Sequence, residues 1–388
     1  MSLKVIEIVS NWGRRGLQLK RVYRMICNRD LFLAAYGKLY ANKGATTPGI
    51  DPDDTVDGMS LKRIDKIIKQ LQEGTYQWKP VKRVYIPKKN GKLRPLGLPS
   101  WNDKLVQEVI RMVLEAYYEP QFSRYSHGYR PERGCHTALD EIRQKWKGVK
   151  WFIEIDIKGC FDNIDHSLLL NLIGRDIPDG RFLKLLADML KVGYMEDWKY
   201  HNTYSGTPQG GVISPILSNI VFNELDKFIE YELIPQYTSG KKRKPNPEYQ
   251  AITYQISRAK AAQDTVRYKE LILERRQIPS VDTYDDEFRR LYYIRYADDS
   301  LLGVIAPKSE ALVIKKRIGD FIQSIKLTMS EEKTFITHAE SERARFLGYE
   351  LSARRNNTKL SMDRRLGIKK RSVNNSILLW LFRNLLQT

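Results

Sequence analysis

LYYIRYADDSLLGVI, residues 291–305, reads as two apolar runs folded back around Ala297 to Ser300, a strand hairpin with two adjacent carboxylates, Asp298 and Asp299, at its apex. Charge held against apolar strands costs several kcal/mol or more unless something cationic compensates it. Taken alone, an Asp-Asp pair also fits a solvated turn. A second segment shifts the balance. In WFIEIDIKGCFDNID, residues 151–165, apolar residues run through Ile157, the pattern of a strand buried on both faces, and a lone acid, Asp156, lies near its exit.

A buried cluster of three carboxylates on neighbouring strands is what phosphoryl transfer through two Mg²⁺ ions requires. One ion lowers the pKa of the attacking hydroxyl and the other steadies the leaving phosphates, at a spacing of roughly 3.5 to 4 Å. Oxygen ligands suit Mg²⁺. No His or Cys cluster lies near these acids in sequence, which argues against Zn²⁺ chemistry.

Outward from this centre, VKRVYIPKKNGKLRPLGL (residues 81–98) predicts two short basic strands around Asn90-Gly91, a hairpin signal. The spacing of Ile64, Ile67, Ile68 and Leu71 predicts an amphipathic helix, and Val106, Ile110, Val113, Leu114 and Tyr117 a second. Before them, Thr46-Thr47-Pro48-Gly49-Ile50-Asp51-Pro52-Asp53 is a turn-rich run, expected as an ordered loop or lid. GTPQGGVISPILSNIVFNELD (206–226) reads as a glycine turn feeding a helix that starts at Ser214-Pro215. Residues 236–290 are polar and charged, an expected insertion in which Glu270 to Arg276 could be helical and Lys241 to Lys244 form a solvated loop. ARFLGYEL (344–351) reads as a last clear strand before a basic tail.

With 66 Lys and Arg against 46 Asp and Glu, a surplus of 20 positive charges, the 388-residue chain is suited to polyanions, nucleic acid first. At 42% hydrophobic residues it can bury a substantial core in two or more subdomains. No stretch approaches the roughly 20 apolar residues that span a bilayer. Cys27, Cys135 and Cys160 lack metal-ligand spacing and read as reduced thiols. The N-terminus lacks the pattern of a secretory signal, so a bacterial cytoplasmic setting, nucleoid-associated through nucleic acid, is the expectation.

Tyr296-Ala297-Asp298-Asp299 resembles the signature of reverse transcriptases, and Phe152 to Asp162 resembles that family's first catalytic motif. Within the family, the TPGID turn, RPLGLP (Arg94 to Pro99), HGYRPERGCHTAL (His127 to Leu139), GTPQGGVISPILSNI and FLGYEL are similar to the group II intron class. The resemblance covers residues 46 to 350 in the family's order. It implies that Asp156, Asp298 and Asp299 ligate two Mg²⁺ ions, with the main-chain carbonyl of Ile157 as an addition. Phe161 matches the aromatic that rejects a ribose 2′-hydroxyl, although a core Phe is the plain alternative. Lys88 and Arg94 match residues that grip the incoming dNTP, Gln209 the residue beside its sugar, and Lys333 a lysine that could protonate pyrophosphate. Phe346, Leu347 and Gly348 would hold the primer terminus. Arg130, Arg133 and His127 form a basic segment suited to template contacts, or else a structured surface loop.

The expected fold class is α/β (α+β), a right-hand polymerase with a palm whose antiparallel sheet bears the aspartates. The expected division is an N-terminal extension and lid-like loop over 1–60, fingers over 61–150, palm over 151–225, an insertion within the palm over 226–290, further palm over 291–360 and the start of a thumb or linker over 361–388. Most of the thumb is expected to be missing. The implied function is RNA-directed DNA synthesis with a DNA primer and RNA template, together with a maturase role in binding and splicing group II intron RNA. Alternatives are a maturase acting mainly as an RNA-binding splicing factor, a retron-type or diversity-generating reverse transcriptase, and a structural protein using the basic tail. Which intron is bound, the template preference, a homodimeric state and any endonuclease domain stay open.

Overall fold

The computed structural model describes residues 2–381 except 43, 45, 88–90, 92, 197–198, 204, 207–209, 283–284, 357–359, 364–367 and 372–373. It is a mixed helix and strand protein. The strands in chain order are β1 (Val81–Pro87), β2 (Leu93–Leu98), β3 (Trp151–Ile155), β4 (Tyr194–Glu196), β5 (Lys199–His201), β6 (Arg290–Tyr296), β7 (Asp299–Ile305), β8 (Phe335–His338), β9 (Ala344–Phe346) and β10 (Tyr349–Asn356). Shorter pieces β11 (Leu360–Asp363) and β12 (Ile368–Arg371) precede β13 (Asn374–Leu381). Among the described residues no helix is long and apolar enough to cross a membrane.

The chain divides into two compact units, one formed by Met1–Pro131, Ile157–Asp226 and Phe321–Thr328, the other by Glu132–Asp156, Lys227–Asp320 and Met329–Thr388. In the first unit the helix Trp101–Tyr118 is the core element, with Leu105, Val109, Ile110, Val113 and Leu114 inaccessible. Ser100 caps its N-terminus by accepting from the Asp103 N–H at 3.2 Å. Burial pushes the Asp103 carboxyl above its ordinary range, and bonds from Tyr76, Ser100 and the Lys79 N–H oppose that rise. The turn-rich run before it is an ordered loop. Lys104 donates to the Thr47 carbonyl at 2.6 Å, Asp54 accepts from the Trp101 N–H at 3.0 Å, and a Cβ on Gly49 would approach Ser100 Cα to 3.0 Å.

The sheet of this unit has the order β2-β1-β4-β5. The basic hairpin forms as expected, β1 and β2 pairing antiparallel from Lys82↔Leu98 to Pro87↔Leu93. The helix Ser214–Phe228 begins where Ser214-Pro215 predicts it, with Leu217, Val221 and Leu225 buried.

The second unit is built on an antiparallel sheet of order β6-β7-β3-β8. Its hairpin register places Tyr296 opposite Asp299, and β3 joins β7 through Ile155↔Ser300. One core covers this sheet, drawn from the helix Cys135–Lys145, Trp146, Phe152, Ile294, Leu301, Phe346 and Leu351. Trp146 lies so close that a Cβ on Gly303 would come within 2.7 Å of its ring, so β7 needs a glycine there.

Two segments differ from the sequence expectation. ARFLGYEL is a hairpin, not one strand: β9 and β10 pair Phe346↔Tyr349 across Leu347 and Gly348, which take φ of 52° and 79°. A left-handed Leu is rare enough that alternating pattern alone reads straight through it. The polar segment 236–290 is more regular than its composition implied. Helices Pro247–Ala261 and Thr265–Gln277 close on Ile252, Ile256, Ala259 and Leu271, a small core of their own.

Candidate functional site

In the second unit β3 delivers Asp156 immediately after its last residue, and β7 opens with Asp299. The Ser330 N–H donates to the Asp156 carbonyl at 2.8 Å, which fixes the backbone at the strand exit. A cavity of about 310 Å³ is lined by Glu154, Asp156, Asp299, Lys333, Leu347 and Gly348 among others. The Lys333 Nζ stands 3.1 Å from Asp156 Oδ2 and 3.3 Å from Oδ1. Asp299 is an exposed residue that reaches solvent through the open side of the cavity, yet its carboxyl is crowded. Desolvation first, then the charges of Asp298 and Asp156, push its pKa up to about 6, against a partial offset from Lys333.

Asp298 occupies a two-residue turn with Ala297, whose φ is 55°. A non-glycine residue in that region costs about 1–2 kcal/mol, strain of the kind that clusters at functional sites. Arg295 supports the turn from below. Its side chain is fully buried, and its Nη1 donates to the Ala297 carbonyl at 2.7 Å.

Among the described residues no three His, Cys, Asp or Glu side chains converge tightly enough to form a ready cation cage. The donor chemistry nevertheless fits a hard divalent cation. Burial first, then the neighbouring charges of Asp298 and Asp156, raise the Asp299 carboxyl, and an ammonium already sits on Asp156 where positive charge is wanted.

Glu154, two residues before Asp156 on the same strand, was not singled out in the sequence. Its carboxylate accepts from Thr337 Oγ1 at 2.6 Å and from the Arg345 N–H at 2.8 Å, so it binds β3 to both β8 and β9. An acid inside the apolar run WFIEI, in phase with Asp156, was the available signal. Phe346 is 4% exposed and packs into the core, and together with the turn residues Leu347 and Gly348 it lines the cavity.

In the first unit Phe161 is half-buried on the short helix Cys160–Asn163. Gly206, at φ 87°, lies where a Cβ would come 2.6 Å from the Phe161 carbonyl. Gly210 similarly approaches the Gly97 carbonyl of β2, a Cβ there falling at 2.7 Å. Gly206 and Gly210 thus permit close backbone approach. Arg94 is exposed on β2, opposite Ile86. Lys88 and Gln209 lie outside the described residues. Ile157 is buried, and Arg133 is half-exposed.

Arg130 corrects the sequence expectation of a template contact. It is 8% exposed, and its guanidinium is engaged with Glu119 at 2.8 Å and with the carbonyls of Ser123 and Ser126 at 2.6 and 2.9 Å. A buried Arg with this many bonds is a structural strut. His127, at 4% exposed, is likewise interior.

A family model described as reverse transcriptase (RNA-dependent DNA polymerase) matches residues 86–254. The group II intron-encoded protein LtrA of Lactococcus lactis subsp. cremoris is 43% identical over 390 residues, covering 97% of this chain and 64% of that protein. The putative COX1/OXI3 intron 1 protein of Saccharomyces cerevisiae is 40% identical, covering 84% of this chain and 38% of that protein. Protein YkfC of Escherichia coli is 34% identical, covering 88% of this chain and 85% of its own length. The chain therefore spans less than two thirds of the Lactococcus relative.

Proposed function

This chain belongs to the reverse transcriptases encoded by group II introns, and on that footing we propose that it extends a DNA primer with dNTPs on an RNA template. The observation that carries the reading is the juxtaposition of Asp156 and Asp299 in one cavity, with Asp298 in the adjoining turn and a lysine already neutralising Asp156. In this account Asp156, Asp298 and Asp299, with the Ile157 carbonyl, hold two magnesium ions. Those ions, when bound, supply the charge that lowers the pKa of the primer 3′-hydroxyl and stabilises the leaving pyrophosphate.

The remaining roles fall to this chain's own side chains. Arg94, with Lys88, pairs with the triphosphate, where a guanidinium can engage two phosphate oxygens at once. Phe161 excludes a 2′-hydroxyl by bulk, and Gln209 is assigned to recognition of the sugar. Lys333 leaves Asp156 as the nucleotide arrives and gives a proton to pyrophosphate. The turn Leu347-Gly348 bears on the primer terminus. Residues 61–150 act as fingers, and 151–225 with 291–360 as palm.

A second activity is supported by the surplus of 20 positive charges, which exceeds what a catalytic centre needs. The same chain binds group II intron RNA and assists its splicing, with RNA affinity that falls steeply with salt. The test of the primary reading is primer extension on an RNA template. Growth with dNTPs and Mg²⁺ that stops on chelation supports it. Failure to extend at any Mg²⁺ concentration, with intron RNA still bound, overturns it in favour of the splicing role.

A further inference from the structure

Tyr129 combines three properties that do not usually occur together. It is a non-glycine residue with φ of 56°, its side chain is 49% exposed, and both flanking residues are anchored in the interior. On one side the Gly128 carbonyl accepts from Asn219 Nδ2 at 2.9 Å, and Asn219 is 1% exposed on the helix Ser214–Phe228. On the other side Arg130 is tied to Glu119, Ser123 and Ser126. The backbone is thus forced into a strained conformation that presents an aromatic ring outward.

That ring meets Phe161 edge-on, with centroids 6.3 Å apart and planes at 69°. The backbone of Phe161 lies close against Gly206, while its half-exposed ring is not enclosed by core packing that would by itself fix the rotamer. An edge-to-face neighbour on a rigid loop supplies that restraint. We infer that Tyr129 is a positioning residue that holds the Phe161 ring in place and thereby sets how strongly the enzyme prefers deoxyribose over ribose. The inference rests on Phe161 acting as the sugar-excluding residue. Its chemistry is general: bulk rejects a single hydroxyl only if the bulky group cannot swing aside.

The test compares wild type, Tyr129→Ala, Tyr129→Phe and Phe161→Ala in primer extension, reading the ratio of kcat/KM for one dNTP to that for the matching rNTP. Alanine keeps the Cβ, so Tyr129→Ala removes the ring without relieving the positive-φ penalty as glycine would. The ratio is taken within one preparation, so it does not depend on the folded fraction. The expected result is a roughly two- to ten-fold loss of discrimination in Tyr129→Ala, the factor an edge-to-face pair is worth, a larger loss in Phe161→Ala, and a wild-type ratio in Tyr129→Phe. An unchanged ratio in Tyr129→Ala beside a large loss in Phe161→Ala overturns the positioning role and leaves the sugar gate standing. An unchanged ratio in Phe161→Ala overturns the gate and the inference with it.

Discussion

The Lys333 ammonium occupies the outer face of the Asp156 carboxylate, 3.1 Å from Oδ2, while its own side chain remains 69% exposed. It therefore competes with any cation for that carboxylate, at modest cost to displace. An ion pair this exposed is worth at most about 1 kcal/mol. Lys333→Ala is expected to lower the Mg²⁺ concentration for half-maximal extension by up to about five-fold, and to lower kcat by on the order of a hundred-fold through loss of the proton donor. A Mg²⁺ titration of extension rate reads both. A higher Mg²⁺ requirement in the variant would contradict the competition.

Glu154 is expected to govern the primer side of the cavity. Glu154→Ala leaves the Thr337 hydroxyl and the Arg345 N–H without their acceptor. The stability cost is about 1–3 kcal/mol. Denaturant unfolding checks it, and steady-state kinetics should show a raised KM for primer-template with the KM for dNTP little changed.

Arg295 offers a sharper dissection, because its bond to the Ala297 carbonyl supports the turn that carries Asp298. Arg295→Met is expected to lower kcat and to destabilise the fold by about 1–3 kcal/mol through the unsatisfied carbonyl. Arg295→Lys should recover little, since an ammonium cannot reproduce the planar fork. Single-turnover rates together with thermal unfolding separate the two effects.

Asp165 tests the first unit. It caps the helix His166–Asp176 by accepting from the Leu168 N–H at 2.7 Å and pairs with Lys326 at 3.0 Å. The cap bond foremost, then Lys326, holds its carboxyl below the ordinary range. Because the folded-state pKa is depressed, this stabilisation is present above the unfolded-state pKa and is lost as pH falls through the folded one. Asp165→Ala should cost about 1 kcal/mol at neutral pH, and the two proteins should converge in stability as the carboxylate protonates. Urea unfolding at neutral and acid pH checks both halves.

The hairpin that carries Asp298 and Asp299 was legible in sequence because two apolar arms leave the chain one way to turn, with Asp298 at the bend and Asp299 beside it. Asp156 was legible from the strand that precedes it. The supports were not. Arg130 looked like a surface cation, and only carbonyls and Glu119 gathered around it by the fold make it a strut. Phe346 carries no local sign that its ring turns to the core, and the Leu347-Gly348 turn hides in an alternating pattern. Tyr129 owes its role to Phe161, 32 positions further along the chain, a relationship that no local pattern encodes.

The measurement that bears most directly on the account is a paired assay of Asp298→Ala, primer extension on an RNA template alongside salt-dependent binding of a group II intron RNA. The account predicts that extension falls by on the order of a thousand-fold or more while RNA affinity and its salt slope stay within about two-fold of wild type. Extension at the wild-type rate would contradict the assignment of the carboxylates as the polymerising centre.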